Sequence, residues 1–187
     1  MEFKKASPAE ALQAFKLVVK NYQSRGYLPT DPTLKTFILL TARFCAFIWK
    51  VVSFSVSNGG YMLVAIEDRK VVGTVTLEFD PSTLPIDSLF PKEMKELRAS
   101  GKSFAYFGSF AISEEYSCTR TSMRMLREQW RLLKERRTEV GICVVNPCHC
   151  NLYRRIGFKV LAISAEMPGL SQAPAVLLAF NTSEIKL

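Results

Sequence analysis

Residues 104–134 read FAYFGSFAISEEYSCTRTSMRMLREQWRLLK, and the hydrophobic pattern changes period inside this stretch. Phe104 to Ile112 is a continuous apolar run of strand length, predicted as a strand. Ser113 to Thr121 is polar and predicted as a turn. From Ser122 to Lys134 apolar residues recur at helical spacing, with Met123, Leu126, Trp130 and Leu133 on one stripe. Arg120, Arg124, Arg127, Arg131 and Lys134 form a second stripe, within about 40° of a common line at ~100° per residue. A strand, a tight turn and an open helix N-terminus make a standard place to hold a phosphate or the arm of an acyl carrier. The glycines that let a backbone wrap a phosphate are missing here. Five cations on one stripe repel each other, which suits either an acidic partner or a solvated face partly compensated by Glu128 and Glu135.

Upstream, Glu2 to Ala6 reads as a short strand. Ser7-Pro8-Ala9-Glu10 then has the spacing of a capping box with proline at the first helical position. Leu12, Phe15, Val18, Val19 and Tyr22 follow as the apolar face of that helix, which Arg25-Gly26 ends. Tyr27 to Pro32 is a loop. Leu34 to Ser57 is apolar without clean periodicity and splits into a helical or irregular piece and a strand near Lys50 to Val56. Tyr61 to Glu67 and Val71 to Phe79 form a hairpin about Asp68-Arg69-Lys70. Pro81 to Pro91 is a loop and Lys92 to Ala99 a short helix stopped by Gly101. Downstream, Val140 to Val145 is a buried strand, and Pro147 to Arg155 a short helix ended by Gly157. Phe158 to Ser164 is a strand, Met167 to Ala173 a loop, and Pro174 to Phe180 the last strand. An antiparallel front half followed by a strand–helix–strand crossover gives an α/β (α+β) fold, a mixed sheet with helices on both faces.

At 187 residues, 48% hydrophobic and 22% charged, the sequence is expected to be one globular domain over 1–187. The net charge of +8 suits an acidic protein, nucleic acid or an anionic cofactor as partner, and equally a merely soluble basic protein. Five cysteines without regular spacing read as free thiols in a reducing compartment. Cys143, Cys148, His149 and Cys150 are too crowded for a usual zinc spacing, so no metal site is expected; His149, with a suitable pKa range, stays a minor candidate base. Phe37 to Val56 is the most apolar stretch, but Arg43 and Lys50 interrupt it; it reads as core, and no integral membrane segment or signal peptide is expected. The expectation is a cytoplasmic protein. The arginine row lacks interleaved exposed aromatics and a recognition motif, which argues against nucleic acid.

Asn146-Pro-Cys-His-Cys-Asn-Leu-Tyr153-Arg-Arg-Ile-Gly157-Phe158 resembles the N…LY…GF motif of the GNAT-fold N-acyltransferases, and Val72-Gly-Thr-Val-Thr-Leu77 fits that fold's central strands. GTVTLEFDPSTLPIDSLFPKEMKELRASGKS, the later APAVLLAF and the early FKLVVKNYQSRGYL resemble the N-acyl amino acid synthase branch, relatives of the acyl-homoserine-lactone synthases. The resemblance covers most of the chain. It implies a twisted sheet splayed between central strands, and transfer of a long acyl group from an acyl carrier protein thioester to the amine of an amino acid or similar small acceptor. It also implies that the pantetheine arm lies along Phe104 to Ile112, where Phe110 and Ile112 would flank it, with the acyl chain passing between that strand and Val140 to Val145. Tyr153 matches the tyrosine that protonates the leaving thiolate. A thiol of pKa about 8.5 needs little more than one nearby donor, and a phenol of pKa about 10 can supply it.

Two departures from the family pattern stand out. The coenzyme A-binding turn has the form R/Q-x-x-G-x-G/A, yet Ser117 to Ser122 contains no glycine. Thr119, Thr121 and Ser122 could still cap the helix, and with Arg120, Arg124, Arg127 and Asn146 they complete the expected donor- and carrier-binding set. Related synthases carry a Glu and an Arg in an E-x-S-R pattern; Tyr106, Gly108 and Ser109 occupy those places, and Tyr106 could join a water relay that takes the amine's proton. No cofactor is expected to be tightly bound; the donor is the carrier thioester or acyl-CoA. Two other readings stay open: a non-catalytic acyl- or carrier-binding module, and an acetyltransferase using acetyl-CoA.

Overall fold

The computed structural model describes residues 1–28, 60–117, 120–164 and 174–185. The readings of Leu34 to Ser57, of the loop Met167 to Ala173 and of Thr119 lie outside these residues, as does most of the loop Tyr27 to Pro32. Seven strands form one mixed sheet: β1 (Glu2–Lys5), β2 (Gly60–Glu67), β3 (Lys70–Phe79), β4 (Phe104–Ile112), β5 (Val140–Val145), β6 (Lys159–Ser164) and β7 (Ala175–Asn181). Their order across the sheet is β1-β2-β3-β4-β5-β7-β6. The helices are α1 (Pro8–Ser24), α2 (Pro91–Ala99), α3 (Glu114–Ser117), α4 (Thr121–Glu135) and α5 (Cys150–Arg155), the last preceded by a 3-10 turn at Pro147–His149. The segment expected to be a plain turn, Ser113 to Thr121, thus contains a short helix. Two compact units can be told apart, Met1–Leu77 with Ser109–Glu128, and Glu78–Gly108 with Gln129–Leu187.

In the first unit the capping box forms as its spacing predicts. The Ser7 hydroxyl accepts from the Glu10 N–H, and the Glu10 carboxylate accepts from the Ser7 N–H at 2.8 Å. Burial pushes the Glu10 carboxyl up, but the Ser7 donors and the Lys4 ammonium at 2.9 Å outweigh it and leave the pKa below the ordinary carboxylate value. The buried face of α1 is Ala11, Ala14 and Leu17, not the predicted stripe; Leu12 is exposed. The alanines let the helix axis come close to β2, where Met62 and Val64 complete a small core with Ala6. The hairpin turn is also shorter than expected. Asp68 (φ 48°) and Arg69 (φ 63°) are both left-handed, as a two-residue primed turn requires, and Lys70 already belongs to β3. Gly73 on β3 leaves room for helix α4, since a Cβ there would lie 2.5 Å from Met125 Sδ and 3.3 Å from Ala65 Cβ.

The second unit holds the larger described core. β4 and β5 run parallel with Phe104 opposite Val140 and Tyr106 opposite Ile142, while β7 pairs antiparallel with both β5 and β6. Residues directly opposite each other share a face. One face therefore carries Phe104, Val140, Ile142, Ala175 and Leu177, and packs under Leu84, Ile86 and Phe90 of the preceding loop and Met94 of α2. The loop before α2 is held by charge: the Asp80 carboxylate accepts the Phe104 N–H at 2.7 Å, and Asp87 takes the Leu84 N–H and the Arg98 guanidinium. The opposite face carries Phe107, Gly141, Cys143, Leu178 and Phe180, and leads to α5.

Candidate active site

The parallel pairing of β4 and β5 is in register from Phe104–Val140 to Phe107–Cys143 and goes no further among the described residues. Both strands continue, β4 to Ile112 and β5 to Val145. On its other side β5 stays paired with β7 through Val144–Leu177 and Val145–Val176. Within the second unit, Val144, Val145 and Gly108 therefore lie where the two strands part. Backbone N–H and C=O groups at such a parting are open to a ligand that can hydrogen-bond like a strand. Ser109, the next residue of β4, is left-handed at φ 52°, a bulge-like conformation that bends the strand.

The chain leaving β5 turns at once. The Asn146 carboxamide oxygen accepts the Cys148 N–H at 3.0 Å and its carbonyl accepts the His149 N–H, so Asn146 caps the 3-10 turn that feeds α5. Helix α5 ends in a Schellman motif. The Phe158 N–H bonds back to the Tyr153 carbonyl at 3.1 Å and the Gly157 N–H to the Arg154 carbonyl at 3.2 Å, with Gly157 at φ 105°. This motif usually brings a hydrophobic contact between the residues that flank it, here Tyr153 and Phe158. Their rings meet edge to face at 5.1 Å. Phe158 continues onto Phe180 at 4.4 Å, and Phe180 stacks on Phe107 at 5.9 Å. A column of rings thus fixes Tyr153 relative to the point where β4 and β5 part. Gly141 makes the column possible, because a Cβ there would run into the Phe180 ring and lie 2.7 Å from Phe107 Cε2.

Tyr106 is next to Phe107 in β4 and faces the other way, onto the cluster with Ile142 and Leu177. The two tyrosines expected to share proton transfer therefore lie on opposite faces of the sheet. Asn146 and Tyr153 are brought together by one short turn–helix segment.

The other described residues expected on the donor side belong to the first unit. The Ile112 side chain is buried and Phe110 is half-buried. Thr121 is buried and its hydroxyl lies 3.4 Å from the Met1 sulfur, while the Ser122 hydroxyl donates to the Ser117 carbonyl at 3.3 Å. The buried stripe of α4 there is Thr121, Met125 and Leu126, so Met123 flanks the core instead of filling it. Arg120, Arg124 and Arg127 are exposed, with Arg124 over the Phe3 ring at 4.7 Å. In the second unit Gln129, Leu132 and Leu133 are buried and Trp130 is half-buried, its N–H donating to the Thr182 carbonyl at 3.2 Å. Arg131 pairs with Glu135, and Lys134 lies over Trp130 at 3.8 Å.

Cys143, Cys148 and Cys150 are free thiols, and no group of metal-binding side chains forms among the described residues. Full burial pushes the Cys143 thiol far above its ordinary range. The ring column and Gly141 were not foreseen as site-forming. The signal was present as a glycine inside a buried strand, which marks a close approach by something large.

A family model described as N-acyl amino acid synthase FeeM matches residues 13–181. A comparison with curated proteins finds no match. Among solved structures, FeeM, an N-acyl amino acid synthase from uncultured soil microbes, superposes with a TM-score of 0.76 at 19% identity, covering 98% of this chain and 91% of that one. The PaiA N-acetyltransferase of Thermoplasma acidophilum, in complex with coenzyme A, gives 0.65 at 12% identity over 96% and 98%. A ribosomal-protein-S5-alanine acetyltransferase of Vibrio fischeri gives 0.65 at 11% over 99% and 94%. These structural likenesses establish the fold, and the family match runs over the ring column, α5 and the parting strands. The chain belongs to the N-acyl amino acid synthase FeeM family and is an N-acyltransferase of the GNAT fold.

Proposed function

We propose that this protein acts as one catalytic domain that moves a long acyl group from an acyl carrier protein thioester to the amine of an amino acid or similar small acceptor. The observation that carries the reading is the end of β4–β5 pairing at Phe107–Cys143, beside a tyrosine locked by the Schellman turn of α5. The amide groups of a pantetheine arm hydrogen-bond like a strand, and the open backbone at Gly108 and Val144 fits them. The acceptor amine adds to the thioester carbonyl, the C–S bond breaks, and Tyr153 gives its phenolic proton to the departing thiolate. The proton lost by the amine restores the phenol through solvent, so an amide and a free thiol are the only products.

A carrier protein is favoured over coenzyme A by residue types. No glycine stands between Ser117 and Ser122, and residue types with a Cβ there disfavour the close backbone approach that a pyrophosphate needs. A carrier presents a single phosphodiester and an acidic surface, which Arg120, Arg124 and Arg127 suit. The test is incubation with acyl carrier protein thioesters of graded chain length and mixed amino acids, with amides detected by mass spectrometry. N-acyl amino acids are expected. Turnover of acetyl-CoA alone, with no amide from any carrier thioester, would overturn the donor assignment.

A further inference from the structure

We propose that the edge formed by α5 and β6 in the second unit docks on an anionic lipid surface. Six large hydrophobic side chains are exposed among the described residues, and four of them belong to these two elements: Leu152 on α5 (49% exposed) and Val160 (42%), Leu161 (46%) and Ile163 (72%) on β6. Ile163 is the most exposed of them. The placement of the β6 side chains has a geometric cause. Val160 sits opposite Leu178 and Ile163 opposite Val176, and the register slips by one residue between Val160 and Ala162. That bulge at Leu161 turns Val160 and Ile163, three apart, onto one face. It is the face of Phe180 and Leu178, which Tyr153 of α5 reaches through Phe158, and α5 also carries the exposed Leu152. Flanking this apolar patch are Arg154 and Arg155, both exposed at the end of α5. Lys159 is neutralised by Glu184 at 3.0 Å, and residues 146–164 contain no Asp or Glu.

Exposed aliphatics beside uncompensated arginines match the acyl–headgroup boundary of an anionic bilayer: the side chains enter the boundary and the guanidiniums meet phosphates. The contact is peripheral, since no helix among the described residues is long and apolar enough to cross a membrane. A second copy of the chain fits this edge less well. The bulge spoils flat pairing along β6, Val160 and Ile163 project from the sheet face and not along its rim, and a two-fold axis would oppose like charges. An acidic carrier protein meets only two free cations here, fewer than the arginine row of α4 offers.

The experiment is co-sedimentation of the purified full chain with vesicles of phosphatidylcholine alone and of phosphatidylcholine with phosphatidylglycerol. Partition to the phosphatidylglycerol vesicles is expected, weakening as salt is raised. Leu161→Ser with Ile163→Ser, and separately Arg154→Glu with Arg155→Glu, should each lower it by at least about tenfold. Arg124→Glu with Arg127→Glu should leave more of it than either edge pair does. All the substituted side chains at the edge are exposed, and unchanged circular dichroism checks that the variants fold. The proposal is overturned by no partition to either vesicle, or by partition that the edge variants do not change. It is equally overturned by light scattering that shows a dimer dissociated by Ile163→Ser, or by edge variants that lose carrier protein binding while keeping vesicle binding.

Discussion

In the proposed reading Tyr153 has two jobs, and its atoms separate them. Its ring packs on Phe158 at 5.1 Å as the hydrophobic contact of a Schellman turn, a structural purpose that any aromatic ring serves. In that proposal only the hydroxyl serves the leaving thiolate, so replacing tyrosine by phenylalanine would remove the chemistry and keep the packing. Gly141 is the opposite case, where the absence of atoms matters. Gly141→Ala pushes a methyl group into the Phe180 and Phe107 rings and should cost about 1–3 kcal/mol, read as a lower midpoint in urea unfolding. An unchanged midpoint would mean that the ring column adapts, and that Tyr153 is less firmly placed than described. The glycine and both phenylalanines are plain in the sequence. Their meeting is not, because it depends on the register of β5 with β7, which pairs Gly141 with Phe180.

Element boundaries were largely legible. Phe104–Ile112 and Val140–Val145 are strands with the limits that their apolar runs give, and α4 extends the expected helix by one residue at each end. Which side of a helix is buried was less so. On α1 two alanines outrank Leu12, because close approach to the sheet rewards small residues that hydrophobicity alone ranks low. On α4 the residues Met125, Gln129 and Leu132 are buried, and a polar Gln among them disguised the stripe. The α1 cap, by contrast, was written in Ser7-Pro8-Ala9-Glu10. The folded Glu10 pKa is depressed, so its contribution is present above the unfolded carboxylate value of about 4.3 and is lost as pH falls through the folded one. Thermal unfolding of Glu10→Gln against the parent should show a deficit at pH 7 that closes below about pH 4. A deficit that persists into acid would assign the effect to something other than the carboxylate. The arginines of α4 make a prediction for binding. Arg124→Glu with Arg127→Glu should raise KM for a carrier thioester by about tenfold or more at low salt, and far less for the matching coenzyme A thioester. Equal effects on both donors would reduce the row to a solvated face.

At the scale of the whole molecule, family membership and the acyl-transfer class follow from the family match over residues 13–181. The N…LY…GF motif made that much legible from residue types at fixed spacing. The disposition of Tyr106 was not legible. Strand parity separates it from Phe107, but only the packing of α2 and α5 on opposite faces decides which of the two neighbours Tyr153. With Tyr106, Gly108 and Ser109 in place of the acid and arginine of the branch pattern, the proposal assigns the proton transfer to Tyr153. The most direct measurement is the steady-state rate of amide formation from an acyl carrier protein thioester by the parent protein and by Tyr153→Phe, with equal unfolding midpoints as the control. The account predicts a fall in kcat of about 10²–10⁴-fold with KM for the thioester little changed. A kcat within about threefold of the parent would contradict it and leave Tyr153 with packing as its whole role.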